Sequence, residues 1–189
     1  MSEERAGLPI RVFPDAASWA AWMAAEPADS RGVWCRIAKA GAGETTVTKA
    51  QAIDVALAHG WMDGQLNPYD ARLFLIRFTP RGPRSKWPEK NRTRALEVVS
   101  AGRMTAAGLA AIEVSKADGR WDAAYAPQST ATVPDDLAAA LADVPGAAAF
   151  FADLDAANRY AILYRLHTAP AATRGTKLTG SWRCARAAS

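Results

Sequence analysis

Histidine and cysteine are nearly missing from this chain: among 189 residues there are two of each, His59, His167, Cys35 and Cys184. A zinc site draws on those residue types at close spacing, and no such spacing occurs here. Two cysteines are too few for a disulfide scaffold, so both read as free thiols of a reducing compartment. There is no G-x-S-x-G nucleophile motif, and Cys35 has no histidine near it in sequence. The glycines of "GAGE" lack the rest of a phosphate-binding loop, and no cofactor motif is present, so no cofactor is expected. Also missing is any run of about eighteen apolar residues, so no membrane insertion is expected. The opening "MSEERAGLPI" starts with acids and has no apolar core of a signal peptide. These absences together give a cytoplasmic expectation.

What the chain does have is alanine, tryptophan and a mild excess of positive charge. Seven tryptophans are many for this length, and large aromatics are seldom left exposed without use. A formal charge of +4 favours anions weakly and names no partner.

The periodicities place a strand over Ile10–Phe13 and then a helix capped by Asp15, with Trp19, Trp22 and Met23 at helical spacing. In "GVWCRIAK", Val33, Cys35 and Ile37 alternate with Trp34 and Arg36, the pattern of a strand. Thr48 and Gln51 form a capping box for a helix that carries Ile53, Leu57 and Trp61 on one face and ends at Gly60. "MDGQLNPYDA" reads as turn. "RLFLIRFT" alternates again, with Leu73, Leu75 and Arg77 opposite Phe74, Ile76 and Phe78. Ser85 is expected to cap a helix through Val99, and another helix runs from Thr105 to about Ala117. "APQSTATVP" is linker-like, and the chain beyond it is helical. The fold class expected is α+β: a small, mostly antiparallel sheet packed by helices, with a helical C-terminal segment. The corresponding division is an α+β domain over 1–126 and a helical segment over 127–189 packed on it.

The chemistry-bearing residues concentrate in two places. Between Arg77 and Arg94 lie seven cations, opposed only by Glu89 and interrupted by Trp87. Such density serves phosphate binding, with a tryptophan to stack on a base, but it also suits a solvated helix face. Asp63, in "GWMDGQ", follows the end of an apolar helix. It is either a turn aspartate or an acid tuned by burial and a nearby arginine. Arg81 is expected to turn inward and pair with Asp63, directly or through a ligand, while Arg84, Lys90, Arg92 and Arg94 stay solvated.

The segments "VWCRIAK", "ALAHGWMDGQ", "RFTPRGPRSKWPEKN" and "GRMTAAGLAAIEVSKADGRW", followed by "PDDLAAAL" and "AAAFFADL", resemble the YdeI/OmpD-associated family of bacterial proteins. The resemblance spans about Phe13 to Arg174. Pro88 stands where the family has a second serine, and Pro170 precedes Thr173 and Arg174 in place of a basic residue. The resemblance implies a role in resistance to bacteriocins and cationic antimicrobial peptides and an association with an outer-membrane porin. It implies no established reaction.

The reading that follows is a non-enzymatic binding or stress-protection protein. Its expected pocket has Trp61 and Trp87 as apolar walls, Asp63 and Arg81 as complementary charges, and Ser85 and Asn91 as hydrogen-bonding groups, for a small molecule or peptide. The alternatives are a nucleic-acid or anion-binding module using residues 77–94, and an enzyme with Asp63 as acid or base. The oligomeric state is not legible in the sequence.

Overall fold

The structure is a computed structural model and describes residues 3–27 and 29–169. Thr173, Arg174, Pro170 and Cys184, which the sequence reading used, lie outside the described residues. The elements run β1 (Glu4–Arg5), β2 (Leu8–Val12), α1 (Ala16–Ala25), β3 (Val33–Ala38), α2 (Lys49–Ala58), β4 (Trp61–Pro68) and β5 (Leu73–Pro80). After them come only helices: α3 (Glu89–Ser100), α4 (Ala106–Ala117), α5 (Asp135–Ala142), α6 (Ala147–Asp153) and α7 (Ala156–His167). The five-stranded sheet has the order β1-β2-β3-β5-β4, parallel only between β2 and β3. The α+β expectation holds. Among the described residues no helix is long and apolar enough to cross a membrane.

The described residues divide into two compact units. One comprises the chain up to Lys86 together with Asn91–Trp121; the other comprises Trp87–Lys90 together with the chain from Asp122.

In the first unit, strand register sorts the side chains. Val33, Cys35 and Ile37 stand opposite Phe78, Ile76 and Phe74, while Trp34 and Arg36 stand opposite Arg77 and Leu75. Directly opposed residues of an antiparallel pair share a face, so the two alternating runs of the sequence become two faces of one sheet. Helix α1 covers the first face. Its Trp19 meets Phe78 at 5.2 Å between ring centroids and stacks on Trp22 at 5.3 Å. Trp19 also donates its indole N–H to the Ala52 carbonyl at 3.1 Å, which fixes α1 to α2. Trp19 thus builds core.

The capping residues act as expected. Asp15 and Ser18 form a capping box on α1, and Thr48 and Gln51 form one on α2. Two local expectations change. The turn-like "MDGQLNP" is most of β4, an edge strand whose register shifts between Asp63 and Leu66 around Gly64. Glycine and proline weaken a central strand but are tolerated at an edge or a bulge, which is where they stand here. Ser85 caps no helix: α3 starts at Glu89, and the Ser85 hydroxyl instead accepts the Gly82 N–H at 2.9 Å in a tight turn.

The second unit has its own apolar core of Leu137, Leu141, Phe151, Leu163 and Leu166. Asp155 caps α7 by accepting the Asn158 N–H. The short piece at Trp87 is stitched in by backbone: Tyr125 N–H donates to the Trp87 carbonyl, and Glu89 N–H donates to the Tyr125 carbonyl.

Leu57, on the buried face of α2, is 3% exposed. Leu57→Ala should lower unfolding stability by about 2–5 kcal/mol, read as a drop in denaturant midpoint. An unchanged midpoint would mean that this helix face is not core.

Candidate functional site

A helix ends with carbonyls that it cannot satisfy internally. At the end of α2 the Ala58 carbonyl accepts two hydrogen bonds from Thr105, from its backbone N–H at 3.0 Å and its hydroxyl at 2.6 Å. Thr105 is also the N-cap of α4. The start of α4 is therefore held against the end of α2. The approach is so close that a Cβ at Gly108 would lie 2.3 Å from the Ala58 oxygen, so only glycine fits. Two residues past Ala58, Gly60 turns the chain with φ +75° and accepts the Arg81 N–H at 3.0 Å, bringing the exit of β5 to the same point.

These constraints leave a cleft of about 550 Å³ with four walls. Met23, Ala24, Glu26 and Pro27 come from the end of α1, and His59, Gly60 and Trp61 from the exit of α2. Pro80 and Arg81 close the end of β5, and Thr105, Ala106, Ala107 and Ala111 line the start of α4. Most of the lining is apolar. Its polar groups are partly committed: the Thr105 hydroxyl to Ala58, and a Glu26 carboxylate oxygen to the Ser30 hydroxyl at 2.7 Å. His59 Nδ1 lies 2.9 Å from the Val55 carbonyl. A carbonyl only accepts, so Nδ1 carries a proton and donates it to this bond. The Arg81 guanidinium donates through Nη1 to the Lys86 carbonyl at 3.3 Å.

Of the six residues expected to form a pocket, the structure brings Trp61 and Arg81 together as cleft lining. Asp63 and Asn91 meet each other instead. Asp63 is on β4 opposite Phe78, and its carboxylate accepts the Asn91 side-chain N–H at 3.0 Å. The direct Asp63–Arg81 pair is not present, because the two side chains have other partners. Ser85 is taken up by its turn, and its carbonyl accepts from Arg120 at 2.7 Å. Trp87 is 1% exposed and belongs to the second unit. The cleft's acid, Glu26, and its histidine, His59, were not among the expected site residues. The signal for His59 was its place beside Trp61 at a helix end.

The basic stretch is also more structural than expected. Arg94 is half-buried and paired: it forms an ion pair with Asp54, which raises the guanidinium pKa, and donates to the Ala50 carbonyl. Arg92 donates to the Trp121 carbonyl at 3.2 Å. Arg84 and Lys90 are exposed, as expected.

Residues 11–111, more than half of the chain, match the family model described as Domain of unknown function (DUF8412). The chain belongs to this family. Every residue lining the cleft lies inside the DUF8412 match. A second model, described as Bacteriocin-protection, YdeI or OmpD-Associated, matches residues 130–180. The expected likeness to that family is therefore present, and it sits in the C-terminal segment. The motifs "GWMDGQ" and "TPRGPRSKWPEKN" fall within the DUF8412 match instead. No curated protein and no solved structure matches the chain.

Among the described residues no group of three or more His, Cys, Asp or Glu is placed to hold a metal. Cys35 is buried in the sheet, and desolvation pushes its thiol up to about 12. Folding thus keeps the thiol protonated across the range between an ordinary thiol and that value, so Cys35 favours the folded state below this window and loses that contribution as pH rises through it. Alkylation at mildly alkaline pH should modify Cys35 far more slowly in the native than in the denatured protein, as followed by peptide mapping. Equal rates would contradict its burial. Gly108→Ala should cost about 1–3 kcal/mol, since the added methyl meets backbone. A thermal melt unchanged by that substitution would contradict the tight junction of α2 with α4.

Proposed function

We propose that the chain is a non-enzymatic binding protein that takes a small molecule or short peptide into the cleft of its DUF8412 part. We further propose that this capture serves protection against an antimicrobial agent. The observation that carries the reading is the cleft itself. Its volume of about 550 Å³ falls in the usual range for ligand pockets, roughly 300–1,000 Å³. It combines an apolar lining with a few polar groups of different kinds: the Glu26 carboxylate, the His59 ring and the Arg81 guanidinium. Such a mixture suits an apolar ligand that carries both donors and acceptors. The lining's hydroxyl is occupied by structure, which supports binding over catalysis. The protective role rests on the description of the family matched at 130–180.

The basic stretch supports a nucleic-acid reading less well, because Arg92 and Arg94 are engaged inside the first unit. The proposal is tested by titrating a panel of short cationic peptides and small aromatic acids while following tryptophan fluorescence. Trp61 should report occupancy, and Trp61→Phe should remove most of the response. Ala107→Phe, which fills the cleft from α4, should weaken binding at least about tenfold while the protein still melts cooperatively. Binding that survives Ala107→Phe undiminished would place the ligand elsewhere. No response from any panel member would count against a small-molecule or peptide role.

A further inference from the structure

The second face of the sheet carries an arginine that nothing in the fold accounts for. Arg77 lies in β5, between β3 and β4, directly opposite Trp34. Its side chain makes no hydrogen bond or ion pair among the described residues, and its Nε is shut away from solvent without a partner. A desolvated guanidinium nitrogen is costly to leave unmatched. Arg36 shares this face, standing opposite Leu75 and therefore diagonal to Arg77, while the Arg5 guanidinium lies 5.6 Å from the centroid of the Trp34 ring. Diagonal neighbours of this kind are about 7–8 Å apart, within reach of long side chains. Arg36 donates to Glu3 at 3.3 Å and to the Tyr69 hydroxyl at 2.9 Å, so its countercharge is already engaged. Its own Nε is likewise buried and unmatched.

On the β4 side of Arg77 the chain contributes no side chain. Gly64, at the bulge of β4, would place a Cβ 4.0 Å from that of Arg77 if it had one. Any larger residue there would stand beside the guanidinium stem. The face is reached by solvent at Val12, which is paired with Arg36 in the parallel β2–β3 register and is 42% exposed.

We propose that this face binds an oxyanion, the carboxylate or phosphate group of a small ligand. Arg77 is the principal donor, Arg36 supports it from the diagonal, and Gly64 sets no side chain against the Arg77 stem. A planar guanidinium matches a two-oxygen acceptor bidentately. The site is distinct from the cleft and does not rest on the function proposed for it.

The test titrates the full chain with inorganic phosphate in one arm and acetate in the other, at constant ionic strength, following the Trp34 indole and Arg77 Nε resonances by NMR. The expected result is saturable shifts at both groups, with the tighter arm identifying the preferred acid group. Arg77→Met, which keeps the stem and removes the charge, should weaken this binding at least about tenfold, the loss of one charge-assisted contact. Gly64→Val, compatible with a strand, should do the same by filling the gap, while Ala107→Phe in the cleft should leave it unchanged. Absence of a saturable response in the unsubstituted protein in both arms would overturn the proposal. So would Arg77→Met or Gly64→Val binding like the parent, or loss of binding in Ala107→Phe alone.

Discussion

The carbonyl of Ala58 governs the part of the molecule around the cleft. Helix α2 stops there, and the unsatisfied oxygen captures Thr105 through both its N–H and its hydroxyl. Because Thr105 is also the cap of α4, one residue closes two helix ends at once. Gly108 lets the two backbones meet, and Gly60 reverses the chain so that β4 starts beside the exit of β5. The cleft is what remains between elements pinned to this single point. Its lining therefore comes from residues far apart in sequence that have in common their closeness to the end of α2.

Much of this frame was legible because it depends on local physics. Alternation in "VWCRIAK" and "RLFLIRFT" gave the two faces of the sheet, and the strand register keeps them. Asp15 and Thr48 announced their helices by capping chemistry that needs only three residues of context. The failures are places where the tertiary setting decides. "MDGQLNP" has the composition of a turn, yet β5 offers it a paired edge, and the bulge at Gly64 absorbs the poor strand formers. Ser85 has the chemistry of a cap, but Gly82 lies three residues before it and takes its hydroxyl first.

The site residues show the same division. Trp61 and Arg81 were readable as neighbours because a helix end and a strand exit bracket them, and both line the cleft. The partner of Asp63 was not readable, since the competition between Asn91 and Arg81 is settled by how α3 lies over β4. Charge density was the poorest guide. Arg94 looked solvated by its spacing on α3, but Asp54 of α2 and the Ala50 carbonyl claim it. Arg77 was readable as a strand residue sharing a face with Leu73 and Leu75 and as the start of a basic run, but not as the residue opposite Trp34 in the middle of the sheet.

The central claim is that the end of α2 creates a cleft able to hold a ligand. Amide and indole chemical-shift mapping with a library of small fragments tests it most directly, because the map is read residue by residue. The account predicts that binding fragments shift a contiguous set comprising Gly60, the Trp61 indole, Arg81 and Ala107. Shifts scattered over the surface, or gathered on α3 and the basic loop while these four stay still, would contradict it.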